Sequence, residues 1–187
     1  MRRDQTVMLM GEDVRIGVFA GTGGLHAEFG DLRVIDTPIS ELAVAGAGVG
    51  AAATGLRPVV DLMFGTFLYL AFDQIANQAG AMRYMFGGQA TLPLVYMVQN
   101  GTGSSAGHHH SQSVHPFVMH MPLIKVVMPS TPYDVKGLLK ASIRDNNPII
   151  FLNHLALGGQ RGEVPDEEYV IPLGKGDIKR VGSDVTI

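Results

Sequence analysis

Along this chain, short apolar runs bounded by turn residues alternate with longer segments of helical character. Runs at 7–10, 33–35, 58–63, 94–98, 125–128 and 149–152 read as strands. Several are apolar without alternation, as expected of strands covered on both faces. Helices are predicted near 40–55, 66–85 and 133–145, the last preceded by Ser130, Thr131 and Pro132, residues suited to a cap and a first turn. Strands alternating with helices predict an α/β fold with a mostly parallel central sheet and helices on both faces. After Leu152 the pattern dissolves into Gly158, Gly159, Gly162, Pro165, Pro172, Gly174 and Gly176 among charges. This predicts one domain over 1–157 and a linker arm over 158–187, with 184–187 reading as the start of a further strand.

Composition narrows the picture. The 187 residues suit a single core, and the net charge of −3 with scattered basic residues predicts no nucleic-acid partner. Cysteine is absent, which removes a disulfide framework and thiolate chemistry. The apolar run at 7–10 is too brief for a secretion signal, and the weakly polar stretch at 42–56 is too short to span a bilayer. The expectation is a soluble cytoplasmic protein without a membrane partner.

The predicted helix at 40–55 carries Gly46, Gly48 and Gly50 among alanines, a composition costing roughly 1 kcal/mol per glycine in a helix interior. Something must approach that backbone: either tight packing within the fold, or a subunit or cofactor. Glu41 sits at a strand-to-helix junction beside Leu42, Ala43 and Val44. It reads either as a first-turn glutamate complementing the helix dipole or as a buried acid at the strand ends, where α/β sheets bind ligands. Phe67 fits a core position or a stacking platform for a flat ligand. Asp73, Gln74, Asn77 and Gln78 form polar stripes that suit solvent or a subunit contact equally.

The polar loop 99–113 follows a strong apolar strand and contains His108, His109 and His110. Metal binding with help from His115 or His120 is one reading, although neighbouring loop residues point apart and no HExxH accompanies them. Proton transfer, anion binding and plain solvation are the others. Gly101, Gly103 and Gly107 hint at a phosphate cradle but lack the P-loop lysine and the GxGxxG spacing.

In order along the chain stand GEDV (11–14), DTPISE (36–41), GAGVGAAATGLRPVVDLMF (46–64), FDQIANQA (72–79), HSQS (110–113) and KVVMPSTPYDVKGLL (125–139). Together they resemble the beta subunits of thiamine diphosphate-dependent 2-oxo acid dehydrogenase first components. RYMFGG (83–88) and GEVPDEEYVIPLGKGDIKR (162–180) are most similar to the acetoin and pyruvate branch. The resemblance implies a transketolase-like, pyrimidine-binding fold. It places Glu41 on a ring nitrogen of the cofactor's aminopyrimidine, Phe67 against that ring, and His110 in handling substrate or intermediate and in acyl transfer to lipoamide. It implies potassium on the backbone carbonyls of Leu94, Ser142, Ile143, Asp145 and Asn147. The implied partners are an alpha subunit in an alpha2beta2 assembly, a second beta chain and a lipoyl acyltransferase core.

The GDG-and-asparagine motif for diphosphate and magnesium is absent here, so the resemblance assigns both groups to the alpha subunit. A helix before Arg3 and a C-terminal domain beyond Ile187 are also missing relative to the family, which reads as a fragment, a split gene product or a truncated chain. The segment 15–24 is short, and His108 and His109 stand where relatives carry other residues. Two alternatives stay open: a fragment of another thiamine enzyme, such as transketolase or deoxyxylulose phosphate synthase, and a silent assembly or regulatory domain.

Overall fold

The computed structural model describes residues 1–19 and 21–185. All six predicted strands form: β1 (Val7–Gly11), β2 (Val34–Asp36), β3 (Arg57–Phe64), β4 (Val95–Asn100), β5 (Lys125–Val127) and β6 (Ile149–His154). They make one sheet in the order β2-β1-β3-β4-β6-β5, and every pairing is parallel. Parallel neighbours need crossovers, and those crossovers place helices on both faces.

On one face, Met8, Met10, Val60, Leu62, Tyr96, Val98, Ile150 and Leu152 meet α2 (Glu41–Ala53) and the buried side of the segment after β3. On the other, Leu9, Val59, Val95, Ile149 and Phe151 meet α1 (Leu25–Phe29) and, after a short α3 (Ala81–Met85) and α4 (His115–Met119), the long α5 (Pro132–Arg144). The start of α5 follows its sequence: Thr131 caps it by accepting the Asp134 N–H at 3.1 Å, and Pro132 fills the first turn. The glycines of α2 now separate. A Cβ on Gly48 would stand 2.6 Å from Val60 Cγ2 and 3.2 Å from Leu94 Cδ1, so Gly48 serves helix-to-sheet contact, whereas Gly50 faces open space.

The predicted helix at 66–85 is not continuous. β3 leaves the sheet into a 3-10 turn, Gly65–Tyr69, followed by a wide-turned π segment, Gln74–Gly80, and then α3. Leu68, Ala71, Ile75 and Ala79 are all fully buried along this segment despite its changes of pitch. Asp73 also draws the side-chain amide of Asn77 to 2.7 Å. The short helices α1 and α4 had no clear periodicity in the sequence.

Among the described residues beyond 157 there is no regular element, but several of them touch α5. Tyr169 stacks on Tyr133 at 4.5 Å and donates its hydroxyl to the Tyr133 carbonyl, and Ile171 and Tyr169 press on Gly137. Lys179 meets the buried Asp134 carboxylate at 2.8 Å. Of the strand start expected at 184–187, residues 184 and 185 form no strand and 186–187 lie outside the described residues. Among the described residues no helix is long and apolar enough to cross a membrane.

Candidate functional site

The carboxyl ends of β1, β2, β3 and β4 all open toward one edge of the sheet, where parallel α/β folds hold ligands. Just past β2, the chain turns through Pro38 and Ser40 into α2, so Glu41 stands in the first helical turn, half-buried. It shares a small concavity with Glu12 from the end of β1, with Thr37, Val44 and Asp61, and with Phe67 from the 3-10 turn. Glu12 is pushed above the usual carboxylate range, first by burial and then by the negative charges of Asp13 and Glu41. The Thr37 hydroxyl is buried in that concavity's wall without a hydrogen-bond partner. An orphaned buried hydroxyl costs free energy unless a ligand or water meets it.

His110 is brought beside Phe64 and Phe67 from the loop after β4. Its ring packs on Phe64 with centroids 4.1 Å apart and on Phe67 at 5.6 Å, while Phe19 abuts the far side of Phe64 at 5.2 Å. Nδ1 of His110 lies 3.0 Å from the Ala106 carbonyl. A carbonyl only accepts, so in the neutral ring Nδ1 carries the proton and Nε2 keeps its lone pair. The loop is pinned at its base. Fully buried Asn100 accepts the Val114 N–H at 2.8 Å, and the Gly101 N–H donates to the Gln112 carbonyl at 2.9 Å. Farther along, Thr66 donates to the His109 carbonyl and Tyr69 to the Gln112 side chain.

Of the residues chosen from sequence, Glu41 and Phe67 thus line one concavity, and His110 packs against Phe67 from outside that lining. The structure does not gather the three adjacent histidines. His108 and His109 lie crosswise in a 3-10 turn, His115 and His120 sit on or just past α4, and among the described residues no group of three or more His, Asp or Glu side chains is arranged to hold a metal ion.

The five carbonyls named for potassium lie elsewhere, around the end of α5 and the start of β4. Those of Ile143 and Asp145 accept the Arg57 guanidinium at 3.0 and 3.2 Å, and that of Leu94 accepts the Ile149 N–H at 2.8 Å.

Sequence reasoning missed Glu12, Thr37, Asp61 and Phe64 as site residues. Only Asp61 left a signal, an acid inside an otherwise apolar predicted strand. The residue is 7% exposed, and burial pushes its pKa up to about 6 against the lowering effect of the Met63 N–H.

A family model described as transketolase, pyrimidine binding domain, matches residues 1–158. The whole chain aligns at 49% identity with the pyruvate dehydrogenase E1 component subunit beta of Porphyra purpurea, covering 57% of that protein. It also aligns at 49% with the acetoin:2,6-dichlorophenolindophenol oxidoreductase subunit beta of Cupriavidus necator, covering 59%, and at 45% with the 2-oxoisovalerate dehydrogenase subunit beta of Bacillus subtilis, covering 58%. The chain therefore spans a little over half the length of these relatives. Among solved structures, a split gene transketolase described as an inactive beta4 tetramer superposes with a TM-score of 0.63 over 82% of this chain and 46% of that one, at 16% identity. That likeness supports the fold alone.

Proposed function

Because the chain belongs to the transketolase pyrimidine-binding domain family, we propose that it is the pyrimidine-binding part of a beta subunit in a thiamine diphosphate-dependent dehydrogenase. The enzyme decarboxylates a pyruvate-like 2-oxo acid or cleaves acetoin and hands the acyl group to lipoamide. The observation that carries this reading is the meeting of Glu41 and Phe67 in one concavity at the carboxyl-end edge of the sheet, with His110 packed on Phe67, in a chain that aligns throughout its length with such subunits.

The residues present fit an aminopyrimidine. The concavity offers an aromatic face at Phe67, a carboxyl at Glu41 and a buried hydroxyl at Thr37 that lacks a partner. Thiamine diphosphate, when bound, supplies an electron sink for cleaving the bond beside a carbonyl. Glu41 would meet the pyrimidine ring nitrogen through its carboxyl and so would bias the ring's tautomer, a hydrogen bond made stronger where a partner subunit excludes water from this half-open edge. Phe67 fixes the ring plane. His110, with Nδ1 anchored to Ala106, presents Nε2 to substrate or departing acyl group as a hydrogen-bond acceptor or, once protonated, a donor.

This chain lacks the family's diphosphate motif, so an alpha subunit holds the diphosphate and its magnesium, and activity requires that partner. The working assembly is alpha2beta2 with beta-to-beta contacts, docked on a lipoyl acyltransferase core in the cytoplasm. Potassium at the carbonyls of Leu94, Ser142, Ile143, Asp145 and Asn147 belongs to the same proposal. None of these residues lines the Glu41 concavity, so potassium there acts on stability rather than chemistry, in competition with Arg57 for the Ile143 and Asp145 carbonyls. A rise in melting temperature on exchanging sodium for potassium supports the ion site, and no rise removes it.

The test of function is reconstitution with the matching alpha subunit, following thiamine-dependent reduction of an artificial electron acceptor with pyruvate, a branched 2-oxo acid and acetoin in turn. Turnover with one of them supports the reading and identifies the substrate. Stable assembly without turnover on any of them contradicts catalysis by this chain with an alpha subunit alone, and leaves a silent assembly domain or a need for the part of the relatives' length that it does not span.

A further inference from the structure

β3 and β4 run in regular parallel register through Asp61 opposite Met97, and pairing resumes only with Phe64 opposite Gln99. Three steps on β3 thus match two on β4, which is a bulge, and bulges re-aim the side chains that follow them. Met63 lies inside it with φ of 59°, a left-handed conformation that a long side chain adopts at a cost of order 1 kcal/mol. Asp61 Oδ1 accepts the Met63 N–H at 2.9 Å. The strand is hemmed on both sides here. A Cβ on Gly11 would stand 2.4 Å from the Asp61 carbonyl oxygen, and one on Gly65 would stand 2.8 Å from Val114 Cγ2. The residue leaving this turn is Phe64, on which His110 rests, and three residues later comes Phe67.

We propose that Asp61 is a positioning residue: its side-chain oxygen holds the left-handed turn at Met63 by which β3 delivers Phe64 and Phe67 to the pyrimidine and seats His110. Asp61 is a costly group to keep where it is. It is almost wholly buried, it borders an apolar crevice of ≈ 560 Å³ that includes Met97 and Phe151, and burial pushes its pKa up to about 6. Among the described residues, the one hydrogen bond of its side chain is to the turn it closes. A leucine or alanine would remove the desolvation cost and would leave the Met63 N–H without a partner.

The inference rests on the reading of Glu41, Phe67 and His110 given above, and its test separates the two. The full chain, assembled with its alpha partner, is compared as Asp61→Ala, Asp61→Asn, Met63→Gly, the double variant Asp61→Ala/Met63→Gly, and Glu41→Ala. The readouts are the calorimetric Kd for thiamine diphosphate with magnesium, hydrogen exchange at residue 63, and kcat. Asp61→Ala is expected to weaken cofactor binding about 10-fold and to unprotect the residue-63 amide. Asp61→Asn keeps an accepting oxygen and recovers most of the loss. Glycine takes positive φ without strain, so the double variant also recovers binding to within about 3-fold.

An unchanged Kd in Asp61→Ala overturns the proposal. So does failure of both the asparagine and the added glycine to recover binding. If Asp61→Ala does not assemble, the asparagine and double variants decide alone: binding in both upholds the proposal and loss in both overturns it. Glu41→Ala distinguishes the layers. If that variant abolishes turnover while Asp61→Ala binds normally, only the role of Asp61 falls. If Glu41→Ala is itself fully active, the reading of the site falls with it.

Discussion

Replacing Asp61 by asparagine should stabilise the folded chain at neutral pH and lose most of that advantage in acid. The carboxyl has a pKa of about 6 in the folded state against 3.8 for a free aspartate. A raised carboxylate pKa means the folded state binds the proton more tightly than the unfolded one, so stability falls as pH rises through this window. The linkage relation puts the cost at about 3 kcal/mol at pH 7.5 and about 1 kcal/mol at pH 4.5. Asparagine carries no charge to desolvate and keeps an oxygen for the Met63 N–H. Urea unfolding of both proteins at several pH values reads the difference directly, because the midpoint shift times the slope gives the free energy. The expected gap in favour of asparagine is nearly level from pH 7.5 to 6.5 and narrows mainly below pH 6. A gap independent of pH, or asparagine less stable at pH 7.5, would refute the claim that Asp61 is a buried carboxylate held at a cost.

Three further outcomes follow from the packing. Gly48→Ala places a Cβ 2.6 Å from Val60 Cγ2 and should cost about 1–3 kcal/mol in thermal unfolding; a neutral result would mean α2 can lift off the sheet freely. Asn100→Ala leaves the buried Val114 N–H without its acceptor and should cost about 1–3 kcal/mol, with proteolysis newly cutting the 101–113 loop; a loop still resistant would show that Asn100 does not pin it. For Asp134, burial raises the pKa but is outweighed by hydrogen bonds from Lys179, Thr131 and Ser130, so the net shift is downward. This contribution is present above the free aspartate pKa and fades as pH falls through the folded value. Lys179→Ala should therefore release residues 162–179 to protease at pH 7, and an unchanged digest would show that the aromatic stack of Tyr133 and Tyr169 holds the arm unaided.

The strands were legible because fully buried parallel strands are written as apolar runs without alternation, and the runs at 7–10, 149–152 and, interrupted only by Asp61, 58–63 lie wholly within observed strands. The segment 66–85 misled because Leu68, Ala71, Ile75 and Ala79 keep helical spacing while the backbone changes pitch between them, and pitch leaves no mark in a pattern of apolar positions. Residues 162–179 read as an arm because their contacts are made one at a time: Tyr169 on Tyr133, Glu168 with Lys140 and Arg144, Lys179 on Asp134. No periodicity encodes such contacts. At the site, Glu41, Phe67 and His110 were found through the order of motifs rather than their own chemistry. Thr37 and Phe64 went unnoticed because their importance lies in what folds beside them, an orphaned hydroxyl near Glu41 and a ring beneath His110.

The most direct test of the account is the turnover of Glu41→Ala after assembly with the matching alpha subunit, set beside the unmodified chain at the same cofactor concentration. The account predicts normal assembly and a fall in kcat of about 100-fold or more, the scale of losing a positioned acid. Turnover equal to that of the unmodified chain would contradict it.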